Sequence, residues 1–130
     1  MNLKKCKNIT IAGDTTYRGE CPHEVAEQVT FFNELKKIRP DLWSIATHIR
    51  NEGKRNLNQV QRHKAEGMNT GAADIIIPCS PPIVIELKRR DHTKSKISDD
   101  QIEYLENCQK LGAKVCVALG YKEAIRFIII

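Results

Sequence analysis

Residues 71–91 read GAADIIIPCSPPIVIELKRRD, and the layout of this stretch decides the fold. Ile75-Ile76-Ile77 and Ile83-Val84-Ile85 have the composition of two buried strands. Asp74 opens the first, whereas Glu86 and Lys88 interrupt the end of the second. The connection Pro78-Cys79-Ser80-Pro81-Pro82 is symmetric about Ser80. Pairing about that centre predicts an antiparallel hairpin with Asp74 opposite Glu86. Because side chains alternate across a strand, Ile83, Ile85 and Leu87 then face a core, and Val84, Glu86 and Lys88 face the other way.

Opposed residues have Cβ atoms ~5 Å apart, and two carboxylates at that separation repel. One of them resists ionising unless a cation lies between. Mg²⁺ suits the position, since it takes hard oxygen ligands and commonly uses one or two carboxylates plus waters. Lys88, one step along the same face, is placed to hold an attacking water or steady negative charge developing on a phosphate. Glu-x-Lys on a strand is also the pattern of a solvated sheet face, and an aspartate can end a strand without doing chemistry. The register of Asp74 after Gly71, and the basic run after Lys88, favour a site over that alternative.

The surrounding chain is that of an ordinary globular protein, with 130 residues, 41% hydrophobic and 28% charged. No apolar run approaches the ~20 residues that span a bilayer. The start, Met1 to Cys6, lacks the apolar stretch of a signal peptide, and a cytoplasmic location is the expectation (host cytoplasm, if phage-encoded). Five cysteines, an odd number with no Cys-x-x-Cys spacing, favour reduced, packed thiols over disulfides or zinc. The net charge of +5 favours a polyanionic partner, and the charge is concentrated around the quoted stretch. Lys54-Arg55, Arg62-His63-Lys64, Lys88-Arg89-Arg90 and Lys94-x-Lys96 are its clusters.

Residues 1–20 read as an N-terminal arm, with a hairpin through Ile9-Thr10-Ile11 and a turn at Gly13-Asp14, and residues 21–130 as one domain. A helix is expected from Pro22 to Lys37, burying Val25, Val29, Phe32 and Leu35 and stopped by Arg39-Pro40. Leu42 to Ile49 reads as a strand. Gln59 to Glu66 reads as a polar helix closed by Gly67. Ser98-Asp99-Asp100-Gln101 matches a capping box and opens a helix carrying Ile102, Leu105 and Leu111, with Gly112 as its stop. Lys114 to Leu119 is a strand, Tyr121 to Arg126 a short helix and Phe127 to Ile130 a last strand. The order α-β-α-β-β-α-β describes an α/β sandwich around a mixed sheet, with a helical crossover into the Val115 strand.

An acid at a strand start followed by Glu-x-Lys on the neighbouring strand resembles the PD-(D/E)XK (restriction-endonuclease-like) nuclease superfamily. The chain is more specifically similar to the VRR-NUC family, including its small stand-alone phage and bacterial members. The likeness runs from about Pro22 to the C-terminus, through EVAEQVTFFNEL, HIRNEGKR, GAADIIIP, IELKRRD, SDDQIEYLENCQKLGA and VCVALGYKEAI. In that family a proline precedes the aspartate; here the position is Ala73, so the φ restraint of proline is missing.

The resemblance implies that Asp74 and Glu86 are catalytic metal ligands, with the backbone carbonyl of Leu87 as another, and that Lys88 is the catalytic lysine. It implies a further acid in the first helix four residues before a glutamine. That is Glu24, with Gln28 on the same face, and Glu27 is the fallback. Gln101 corresponds to a supporting glutamine, a role compatible with capping at Ser98. Candidate phosphate contacts are Lys54, Arg55, Arg62, Lys64, Arg89, Arg90, Lys94 and Lys96. Asn51 and His48 are placed to orient DNA, although a histidine packed at a strand end is the preferred reading of His48. The expected activity is Mg²⁺-dependent endonucleolytic hydrolysis of phosphodiesters, with Mn²⁺ able to substitute and no small-molecule cofactor. Branched DNA such as a Holliday junction is the expected partner, and two-fold action implies a homodimer. Sequence-specific or exonucleolytic cutting, or a non-catalytic nucleic-acid-binding module, are the alternatives.

Overall fold

The computed structural model describes residues 1–50 and 56–130. The hairpin forms as its symmetry requires. Strand β3 (Ile75–Ile77) pairs antiparallel with β4 (Ile83–Lys88), and Ile75 faces Ile85, Ile76 faces Val84 and Ile77 faces Ile83. Every residue of β4 is buried, so the solvated-face reading of Glu86 and Lys88 does not hold.

The hairpin forms the middle of a five-stranded mixed sheet in the order β1 (Thr10–Ala12), β5 (Lys114–Leu119), β4, β3, β2 (Thr47–His48). Strand β5 (Lys114–Leu119) runs parallel to β4, and the crossover between them carries helix α4 (Asp99–Lys110). The capping box is present at its start. Ser98 accepts from the Gln101 N–H, and the Gln101 side chain accepts from the Ser98 N–H. On the other flank, β2 (Thr47–His48) pairs antiparallel with β3.

The N-terminal segment differs from expectation. It forms no hairpin; β1 (Thr10–Ala12) is an edge strand parallel to β5, and Cys6 and Ile9 are buried in the core. Between the expected first helix and β2, only Thr47–His48 is strand. Pro40–Trp43 is instead the short helix α2, because proline is well placed at the start of a new helix even where it ends the previous one. Helix α3 (Leu57–Ala65) has its own capping box at Asn56 and Gln59. The C-terminus forms one helix, α5 (Tyr121–Ile129), rather than a helix and a strand. Its apolar residues meet helical spacing, with Ala124 and Ile128 four apart and buried.

Two cores flank the sheet. On one face, Ile75, Ile77, Ile83, Ile85 and Leu87 pack with Phe31 and Leu35 of α1 (Glu24–Ile38) and with Ala124 and Ile128 of α5. On the other, Val84, Val115 and Val117 pack with Ile102 and Leu105 of α4 and with Cys6 and Ile9. Helix α1 turns Leu35 and, in part, Phe32 inward as expected, but its other inward residues differ. Glu27, Phe31 and Leu35 are buried, whereas Val25 and Val29 are 67% and 57% exposed. Leu111, expected on the apolar face of α4, is a 90% exposed C-cap residue. The five cysteines are unpaired. Among the described residues, no helix is long and apolar enough to cross a membrane.

Candidate active site

The side of the sheet that buries Val84 continues along β4 into Glu86 and Lys88, which are 1% and 4% exposed. Neither charge is solvated, so each depends on protein partners. The Lys88 ammonium lies 3.5 Å from Glu86 Oε1 and 3.7 Å from Glu24 Oε1, and it donates to the carbonyl of Lys96. Across the hairpin, one residue beyond the paired Ile75 and Ile85, Asp74 reaches β4 through its carboxylate. Its Oδ2 accepts from the N–H of Leu87 at 2.9 Å.

Glu86 Oε1 also accepts from Gln101 Nε2 at 3.3 Å. Gln101 therefore caps α4 with its oxygen and holds Glu86 with its nitrogen. Glu86 Oε2 is buried and has no hydrogen-bonding partner. Burial, then the Asp74 charge, raises the Glu86 carboxyl well above the usual range, with Lys88 acting in the opposite direction. Burial also raises Glu24, partly offset by Lys88.

These groups line a cleft of about 610 Å³, completed by Gln28 and Val25 from α1, His48 and Arg50 from the β2 segment, and Leu87. A hard divalent cation fits the donors. Two carboxylates meet across the hairpin, and the unpartnered, buried oxygen of Glu86 is one a cation would satisfy. Among the described residues no three His, Cys, Asp or Glu side chains converge on one point. The side chains that could hold such a cation are Asp74 and Glu86, while Glu24 reaches Lys88.

The two acids of α1 separate clearly. Glu24 lines the cleft, but Glu27 lies on another face, where its buried Oε2 accepts from the N–H of Tyr121 at the start of α5. Of the basic candidates, Arg89 donates to the carbonyls of Pro22 (3.1 Å) and Cys21 (2.8 Å), and Lys94 to that of Gly19 (2.8 Å). Both pin residues 19–22 beside the end of β4. Arg90 stacks on Tyr17, with its guanidinium 3.9 Å from the ring centroid, and Arg62 lies 3.9 Å from Glu66. Lys64 and Lys96 are exposed. Asn51, Lys54 and Arg55 lie outside the described residues.

Arg50 is the cleft residue that reading the sequence missed. His48 and Arg50 are two apart at a strand end, the spacing that puts both on one face. The loop before Asp74 needs no proline. Gly71 N–H donates to Asn69 Oδ1, Thr70 donates to Asp100, and Ala73 is fully buried in the core.

No protein-family model and no curated protein matches the sequence. Among solved structures the chain is similar to a VRR_NUC domain protein, with a TM-score of 0.70 and 22% identity over 87% of this chain and 88% of that one. The chain has the VRR-NUC fold, as the resemblance in its sequence implies.

Proposed function

We propose that the chain is a metal-dependent endonuclease that hydrolyses phosphodiester bonds in DNA. The observation that carries this reading is the buried carboxyl of Glu86 beside the buried ammonium of Lys88, with the half-buried Asp74 facing them from the start of β3, all three lining one cleft. Desolvating the charges of Glu86 and Lys88 is costly, and a merely structural hairpin would be as well served by aliphatic residues. Asp74, Glu86 and the Leu87 carbonyl would hold a Mg²⁺ or Mn²⁺ ion, which when bound would supply Lewis-acid neutralisation of charge on the phosphate.

The remaining chemistry belongs to the chain's own groups. Lys88 is restrained by Glu24, Glu86 and the Lys96 carbonyl, so its proton donors are already oriented when a phosphate arrives. It orients the attacking water or steadies charge on the phosphate. Gln101 keeps Glu86 turned toward the cleft. Arg50, exposed at the wall, offers the phosphodiester a cation.

Branched DNA is the proposed substrate, cut by a homodimer acting in the cytoplasm. A 130-residue chain has little surface to read base sequence, and a junction presents two symmetric strands to a two-fold assembly. The test is cleavage of four-way junction, flap, duplex and single-stranded DNA with Mg²⁺ or Mn²⁺. Nicking or resolution of the junction is expected. Asp74→Ala and Glu86→Ala should abolish cleavage and leave binding largely intact. The reading fails if wild type and both variants are equally inert on all four substrates. Light scattering at micromolar concentration should report a dimer, and a monomer would count against junction resolution.

A further inference from the structure

We infer that His48 is a positioning residue for the cation site, acting through Asp74; this rests on the metal-dependent reading above. The Asp74 main chain sits where two strands end, since β3 begins at Ile75 and β2 stops at His48. Such an end would be free to shift, yet its carbonyl oxygen receives two donors. The Ile49 N–H reaches it at 2.8 Å and the His48 ring Nδ1 at 2.9 Å. A carbonyl only accepts, so Nδ1 carries the hydrogen, and this bond selects the tautomer of the neutral ring.

With the Leu87 N–H on Oδ2, Asp74 is held from both neighbouring strands, by its backbone from β2 and by its carboxylate from β4. β2 is only two residues long, and the ring adds a second donor to the one that the Ile49 N–H gives the Asp74 carbonyl at its end. Groups that orient a metal ligand without touching the metal commonly govern affinity as strongly as the ligand's own placement requires. His48 stands in that relation to Asp74. Its ring also lines the cleft, so a direct contact between Nε2 and the substrate is the competing role.

Asparagine and glutamine separate the two roles, because the asparagine amide stands near the Nδ1 position and the glutamine amide near Nε2. Binding of Mn²⁺ to the purified chain, followed by the electron paramagnetic resonance of free Mn²⁺, gives a readout apart from cleavage. His48→Ala should weaken Mn²⁺ binding roughly tenfold. His48→Asn should restore most of that loss, and His48→Gln should not. In an Asp74→Ala background, His48→Ala should have no further effect.

Unchanged Mn²⁺ affinity in His48→Ala overturns the inference, as does rescue by glutamine in place of asparagine. If the alanine variant unfolds, the asparagine and glutamine variants decide between them. Failure of wild type to bind Mn²⁺ overturns the metal-dependent reading itself, whereas normal wild-type binding with an indifferent His48 overturns this inference alone.

Discussion

The carboxylate of Asp74 accepts the backbone N–H of Leu87 at 2.9 Å, which fastens the acid of one strand between Glu86 and Lys88 of the next. The contact lies one residue beyond the last strand pair, Ile75 with Ile85, and ties the start of β3 to the end of β4. Rigid elements hold reacting groups more closely than loops do. The same placement buries Glu86 with one oxygen unpartnered, an arrangement costly unless a cation or proton completes it.

The proton is the alternative to the cation, and this gives a prediction with a definite sign. Burial and Asp74 raise the folded carboxyl of Glu86 well above its ordinary value of 4.5. A group with a raised folded pKa contributes stability that is fully present below its unfolded pKa and lost as pH rises through the folded one. Without metal, wild type should therefore lose melting temperature relative to Glu86→Gln as pH climbs from 4.5 toward 8. Mg²⁺ should raise the wild-type melting temperature at pH ~8 more than that of the variant. A difference between the two proteins that is independent of pH would contradict the assignment.

The two acids of α1 should behave oppositely. Glu27 is buried and caps α5, so Glu27→Ala should cost ~1–3 kcal/mol in denaturant unfolding while cleavage per folded molecule is unchanged. Glu24 contacts Lys88 at the cleft, and Glu24→Ala should lower cleavage roughly 10- to 100-fold with little loss of stability. Exchange of these two phenotypes would show that the acids have been assigned the wrong way round.

Gly71 faces the first turn of α4 at close range. A Cβ there would stand 2.2 Å from the Asp100 carbonyl oxygen, closer than any real contact, so backbone must move. Gly71→Ala should destabilise by ~1–3 kcal/mol. It should also slow cleavage, because α4 carries the Gln101 that holds Glu86. Wild-type melting and cleavage in this variant would disprove the coupling.

The centre of the molecule was legible because its signals are local. The symmetry about Ser80 gave the hairpin register, and Ser98 with Gln101 gave the start of α4. The edges were less so. Strand β1 is specified by partners more than a hundred residues away in β5, which no local pattern reveals. In α1 the apolar positions Val25 and Val29 suggested a stripe, yet the inward face includes Glu27, an acid retained in the interior by the Tyr121 N–H. Arg89 and Lys94 read as phosphate contacts from charge alone, and only the fold brings the carbonyls of Cys21, Pro22 and Gly19 to them. Burial of Lys88, and its position between two carboxylates, likewise depends on α1 and the Lys96 loop closing over the strand.

Single-turnover cleavage of a labelled four-way junction at saturating protein, with Mg²⁺, tests the central claim most directly. The proteins to compare are wild type, Glu86→Gln and Lys88→Met, with junction binding measured for each. Wild type should cut, and both variants should bind the junction yet cut at least ~100-fold more slowly. Cutting by either variant at the wild-type rate, or wild-type cutting that persists undiminished in EDTA, would contradict the account.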